Sequence, residues 1–220
     1  MHITVKNLVN LEKNVQSKIN NLNYNDYNPK IIAVSKTFKI DHINPLIEHG
    51  HIHFGENKVQ EALEKWNDIK AHNNRVRLHM IGKLQTNKVK FAVKLFDFIH
   101  SLDSEKLAKK ISDEQKKINR KLKLFIQINI GSEDQKSGIS LKNVYDFDNY
   151  CKELDLDIVG TMCIPPDDNK QNLYFSNMQK INSELGYKEL SMGMSNDYLN
   201  ALEFKSSFLR IGSKIFGSRS

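Results

Sequence analysis

Eight short apolar runs punctuate this chain, each followed by turn-forming residues and then by a segment whose apolar positions recur every three or four residues. The runs fall at 31–34, 51–54, 77–81, 98–102, 122–130, 157–162, 189–192 and 207–210. They are short for helices, and Ile31-Ile32-Ala33-Val34 has the β-branched content that suits a buried, pleated environment. The segments between them, at 41–49, 58–69, 86–96, 104–119, 141–154, 169–185 and 196–203, carry the helical period. Strands that alternate with helices pair in parallel through helical crossovers, and eight such units close into a barrel. One more helix is predicted over 3–22, where Leu8, Leu11, Val15, Ile19 and Leu22 form a single stripe. An open doubly wound sheet is the alternative, but no Gly-x-Gly-x-x-Gly follows any run to mark a dinucleotide crevice. The expected fold is therefore α/β: a single (β/α)8 TIM-type barrel with an additional N-terminal helix, one domain over residues 1–220.

In a barrel of this kind the chemistry collects at the C-terminal ends of the strands. After the first run comes Ser35-Lys36-Thr37. By residue type alone Lys36 is a solvated loop residue. Held at the edge of an apolar interior, its amine would have a lowered pKa and could attack a carbonyl. The other strand ends carry Gly55-Glu56-Asn57, Gly82-Lys83-Leu84-Gln85, Ser101-Leu102-Asp103, Lys136-Ser137-Gly138, Cys163-Ile164-Pro165, Gly193-Met194-Ser195 and Arg210-Ile211-Gly212-Ser213. Gly82 and Gly131 read as ordinary turn residues.

Barrels often bind phosphate through the loops after strands seven and eight, helped by a helix N-terminus. Ser195 is expected at the N-cap of a helix beginning at Asn196, where it could hold an anion or merely cap. Gly212-Ser213 offers backbone N–H groups with little side chain in the way. An amine after strand one, a phosphate cradle after strands seven and eight, and Arg210 between them suggest pyridoxal phosphate, with a Schiff base on Lys36 and Arg210 at the ring nitrogen. A permanently protonated arginine would donate to that nitrogen, leave it unprotonated and weaken the ring as an electron sink. The plainer reading of Arg210 is a surface ion pair.

Other chemistries find less support. The chain has 33 basic and 26 acidic residues, a net charge of +7, but they are dispersed and form no stripe for specific nucleic-acid binding. Cys151 and Cys163 make neither a CxxC pair nor a disulfide framework, and no run is long enough for a signal peptide or a membrane span. A cytoplasmic location is expected. His49, His51 and His53 are close in sequence, with His51 and His53 expected on one strand face, yet no carboxylate or cysteine is spaced to complete a metal site. Asp167-Asp168 reads as a turn and helix start.

The segments Ala33-Val34-Ser35-Lys36-Thr37, Phe54-Gly55-Glu56-Asn57, His79-Met80-Ile81-Gly82-Lys83-Leu84-Gln85, Leu190-Ser191-Met192-Gly193-Met194-Ser195 and Arg210-Ile211-Gly212-Ser213-Lys214-Ile215-Phe216-Gly217 together resemble the pyridoxal phosphate homeostasis protein family, in order and spacing, from about residue 30 onward. The resemblance implies a barrel like the N-terminal domain of alanine racemase. It also implies pyridoxal phosphate on Lys36, its phosphate held by Ser195, Gly212 and Ser213, its ring nitrogen by Arg210, and Asn57 lining the site. Some relatives carry a second lysine two positions after the cofactor lysine; here that position is Phe38, so Lys39 or Lys136 would have to substitute in any transfer role.

Two functions compete. One is a binding protein that holds the reactive aldehyde, takes part in vitamin B6 homeostasis without turnover, and could pass the cofactor to pyridoxal phosphate-dependent apoenzymes. A monomer is expected. The other is an amino-acid racemase, which needs a second acid or base across the cofactor from the lysine. None of the seven tyrosines lies at a predicted strand end, and with the sequence ending three residues after Gly217 the further domain that supplies this group in alanine racemase is not expected here.

Overall fold

The alternation closes on itself. In the computed structural model, which describes residues 1–133 and 135–217, the strands β1 (Lys30–Val34), β2 (His53–Glu56), β3 (Arg77–Met80), β4 (Phe98–Leu102), β5 (Lys123–Gln127), β6 (Ile158–Met162), β7 (Glu189–Met194) and β8 (Phe208–Ile211) form a closed barrel in sequence order. Every neighbouring pair is parallel, and β8 returns to β1 with Ile32 opposite Arg210. Around it run α1 (Ile3–Asn21), α2 (Ile40–Glu48), α3 (Val59–His72), α4 (Val89–Leu95), α5 (Glu105–Ile118), α6 (Val144–Glu153), α7 (Gln171–Glu184), α8 (Tyr198–Glu203) and α9 (Ser213–Phe216).

Strand alternation sorts the side chains. Ile31, Ala33, Leu78, Met80, Ile99, Leu124, Leu190, Leu209 and Ile211 join the large core between sheet and helices. Ile32, Val34, Phe98, Phe125, Met162 and Phe208 face inward and pack as a second, separate cluster inside the barrel. Helix α1 buries Val5, Leu8, Leu11, Val15 and Ile19 and is fastened by Asn7, whose Nδ2 donates to the Ile215 carbonyl at 3.0 Å. Each of those aliphatic side chains contributes roughly 1.5–3 kcal/mol by leaving water.

Several boundaries differ from expectation. Strand β2 begins at His53, because the Gly50 and His51 amides close α2 on Ile47 and Leu46. His51 and His53 therefore do not share a strand face. The segment predicted as a helix over 86–96 opens with a 3-10 turn, Thr86–Lys88, before α4. Helix α8 starts at Tyr198, two residues late, and α9 follows β8 where the sequence suggested no helix.

Candidate functional site

A cavity of about 830 Å³ opens at the C-terminal ends of the strands, and Lys36, Asn57, Ser195, Arg210, Gly212 and Ser213 all line it. Val34 and Ile81 add apolar wall. The six residues nominated from sequence thus come from four different strand ends and meet in one place.

Lys36 sits on a loop clamped from α3. Ser35, fully buried, donates its hydroxyl to Glu56 Oε1 at 2.7 Å, and the same oxygen receives Trp66 Nε1 at 3.0 Å and lies 2.7 Å from Lys65 Nζ. Lys65 also donates to the Ser35 carbonyl at 2.9 Å and pairs with Glu61 at 2.8 Å. Glu61 in turn accepts the Thr37 amide at 2.5 Å. Thr37 adopts φ +68°, a left-handed conformation that a non-glycine residue takes at a cost, and this clamp holds it there. Burial raises the Glu56 carboxyl above its ordinary value, against the opposing pull of Lys65, Trp66 and Ser35.

At the opposite wall Ser195 lines the cavity but does not cap α8. Asp197 is the N-cap residue, and its carboxylate reaches back to the Met194 amide at 2.5 Å while its own amide bonds to the Met194 carbonyl. That tight turn delays the helix. Gly212 precedes α9; a Cβ there would lie no closer than 3.6 Å to Val34. Packing does not demand this glycine, so the open space beside it belongs to the cavity. The first amides of any helix lack partners within that helix, which suits an anion. Gly82 is required by a close approach, contrary to its reading as a simple turn residue: a Cβ would meet the Asn57 carbonyl at 2.4 Å. Its absence lets Asn57 reach the cavity wall.

Arg210 is not a surface residue. It is 4% exposed, with Nη1 donating to Ser191 Oγ at 2.7 Å and Nη2 to the Cys163 carbonyl at 2.8 Å. Burial lowers its pKa from the ordinary arginine value. The two bonds fix the plane of the guanidinium and aim the remainder of the fork at the cavity it lines. Ser191 leads on to His100, His79 and His53 inside the barrel, a connection not expected from sequence, where His53 groups with His49 and His51 instead. His79 occupies an inward position between the outward Leu78 and Met80, and His100 shares the inward face of β4 with Phe98, an alternation that could have revealed them.

Lys39 is exposed at the start of α2 and Lys136 pairs with Glu133 at 2.6 Å. Among the described residues, neither lines the cavity. Asp134, part of the segment 131–138 noted from sequence, lies outside those residues. Phe38 does line the cavity, stacked on Phe216 with ring centroids 4.9 Å apart. Asp168 accepts the Lys170 amide at 3.1 Å in the turn that precedes α7. Among the described residues no group of His, Cys, Asp or Glu is arranged to hold a metal ion, and no helix is long and apolar enough to cross a membrane.

The donor set suits a phosphorylated aromatic aldehyde: an amine at one wall, small residues at another, and a guanidinium fixed on two buried partners. Comparison with known proteins agrees with that chemistry. The alanine racemase N-terminal domain model matches residues 7–220. The pyridoxal phosphate homeostasis protein of Pasteurella multocida is 34% identical over 97% of both chains, and that of Vibrio cholerae is 36% identical over 86% of this chain and 85% of the other. PipY of Synechococcus elongatus, solved without pyridoxal phosphate, is 29% identical and superposes with a TM-score of 0.87 over 98% of this chain and 100% of its own; the form with pyridoxal phosphate bound gives 0.78 over 92% and 100%. A barrel that carries all five of its expected motifs around one cavity, and that matches these relatives nearly end to end, belongs to the alanine racemase N-terminal domain family and, within it, to the pyridoxal phosphate homeostasis proteins.

Proposed function

We propose that this chain binds pyridoxal 5'-phosphate, uses the whole 1–220 barrel as one binding domain, and serves intracellular vitamin B6 homeostasis as a holder of the cofactor. Bound in the cavity, pyridoxal phosphate supplies an aldehyde that condenses with an amine with loss of one water. Lys36 provides that amine, and the Glu56–Lys65–Glu61 clamp keeps its loop in place. Ser195, Gly212 and Ser213 hold the phosphate, Asn57 lines the site, and Arg210 donates to the ring nitrogen. The observation that carries this reading is the convergence of Lys36, Arg210 and Gly212-Ser213 on one cavity.

Arg210 favours holding over turnover. Its charge discourages protonation of the ring nitrogen, so the ring draws electrons weakly. Racemisation also needs an acid or base on the face opposite Lys36. Among the described residues, no tyrosine lines the cavity. Delivery of the cofactor to pyridoxal phosphate-dependent apoenzymes is the use such a holder fits.

The test is an absorbance spectrum followed by borohydride reduction and peptide mapping. The protein is expected to be yellow, to trap the cofactor on the peptide containing Lys36, and to lose the visible band in Lys36→Ala. A Lys36→Ala protein with the full band would sink the assignment. Conversion of L-alanine to D-alanine by the purified protein would overturn the holder in favour of a racemase.

A further inference from the structure

A column of imidazoles crosses the barrel interior and ends on Arg210. His53, the first residue of β2, has Nδ1 2.9 Å from His79 Nε2. His79 Nδ1 lies 2.9 Å from His100 Nε2, and His100 Nδ1 lies 2.9 Å from Ser191 Oγ, the oxygen that accepts Arg210 Nη1. His79, His100 and Ser191 are fully buried. The rings are held by stacking: His79 lies on Phe98 at 4.3 Å and 10°, His100 on Phe125 at 4.2 Å and 14°, and Phe208 touches all three histidines.

The arginine gives this column a direction. A guanidinium can only donate, so Ser191 Oγ must accept from Nη1. The hydroxyl's own proton is buried and needs an acceptor, and His100 Nδ1 is the one at hand. His100 then carries its proton on Nε2 and donates to His79 Nδ1; His79 carries its proton on Nε2 and donates to His53 Nδ1. Burial and the neighbouring charges keep His79 and His100 neutral, with pKa values well below the usual one. Each ring is thereby limited to a single tautomer.

We propose that His100, backed by His79 and His53, is a positioning residue for Arg210: by accepting the hydrogen bond of the Ser191 hydroxyl it turns the oxygen lone pairs of Ser191 toward the guanidinium. The inference rests on the reading that Arg210 faces the ring nitrogen of pyridoxal phosphate. His79 and His53 act further back, because a continuous run of acceptors is what holds His100 in the tautomer that accepts. With His79 removed, His100 can carry its proton on Nδ1 instead, and Ser191 no longer has a reason to present its lone pairs to Arg210.

Two measurements on the intact chain test this. Nitrogen-15 NMR of the histidine rings, recorded without cofactor, should show His53, His79 and His100 protonated on Nε2 and bare on Nδ1. A proton on Nδ1 of His79 or His100 overturns the relay. The second measurement is affinity for pyridoxal phosphate by the visible band. His100→Leu should weaken binding about tenfold, the scale of one hydrogen bond to a charged group. His100→Asn, whose Oδ1 can stand in for the accepting Nδ1, should recover most of that loss. Wild-type affinity in His100→Leu, or no difference between the Leu and Asn variants, overturns the proposal. If His100→Leu does not fold, Ser191→Ala must show the same weakening, and wild-type affinity there overturns it equally. Failure of the unaltered protein to bind pyridoxal phosphate would defeat the cofactor reading, while the ring spectra would still decide the column.

Discussion

Lys65 Nζ lies 2.7 Å from Glu56 Oε1, with the Glu56 side chain wholly buried, directly behind the loop that presents Lys36. A buried pair of this kind adds little net stability, but removing one partner strands a charge. Lys65→Met should therefore destabilise the fold by about 3–5 kcal/mol, read from denaturant unfolding. Adding Glu56→Gln to that variant should restore much of the loss, because an amide still accepts from Ser35 and Trp66 and no bare carboxylate remains. The pH dependence follows the same logic. Glu56 is raised from 4.5 by burial, so its folded form prefers the proton, and stability falls as pH rises above 4.5. Lys65→Met should steepen that fall. Additive losses in the double variant would show that the two side chains act independently.

The interior histidines predict the opposite slope at a different pH. Burial lowers His51 and His53 from 6.5 to about 4, and His79 and His100 well below 6.5. Unfolding frees these rings to take up protons. Stability is thus intact above pH 6.5 and drains away as pH falls from 6.5 toward 4. Each proton taken up on unfolding steepens the loss by about 1.4 kcal/mol per pH unit, so four such rings reach about 5 kcal/mol per unit at most. Urea midpoints measured at pH 7, 6 and 5 should therefore drop sharply. His51→Leu, remote from the cavity, should make the drop shallower; midpoints flat across that range would mean that the rings are protonated in the fold.

That column also shows where reading a sequence reaches its limit in a barrel. Alternation placed Ile32 and Val34 on one face of β1 and Ile31 and Ala33 on the other, but both faces are buried, so apolar periodicity does not tell inside from outside. Nothing in the sequence joins His79 to His100, because their partners lie 21 and more residues away and are brought together by closure of the sheet. The six residues nominated from sequence line one cavity for a simpler reason: each stands at a strand end, and a parallel barrel brings all strand ends to one face. Ser195 was placed correctly at the cavity but given the wrong local job. The side chain of Asp197 takes up the Met194 amide and moves the start of α8, a choice that residue preferences at N-caps do not resolve.

Gly82 and Gly212 should respond differently to alanine. At Gly82 the new Cβ would press on the Asn57 backbone at 2.4–2.9 Å, so Gly82→Ala should lower stability by about 1–3 kcal/mol and disturb the cavity wall. At Gly212 the nearest atoms are 3.6 Å away, an ordinary contact, so Gly212→Ala should unfold at the wild-type midpoint. Its methyl would still narrow the space beside Ser213, and affinity for pyridoxal phosphate should fall. Equal affinity in Gly212→Ala would remove this glycine from the phosphate cradle.

Phe38 occupies the position where some relatives have a second lysine, and its ring is stacked on Phe216 at 4.9 Å with an interplanar angle of 22°. Lys39 points to solvent and Lys136 is engaged with Glu133. If Lys36 is the attachment point, Lys39→Ala and Lys136→Ala should each trap the cofactor on the same peptide, with the same visible band, as the unaltered chain. Phe38→Ala should also keep that peptide. Its effect should appear in stability instead, about 1–2 kcal/mol from a half-buried ring, less than the 3–5 kcal/mol of a fully buried one. Mapping the borohydride-trapped peptide in all three variants decides the matter, and a trapped label that moves to Lys39 or Lys136 would give this chain a second attachment site in place of the missing lysine.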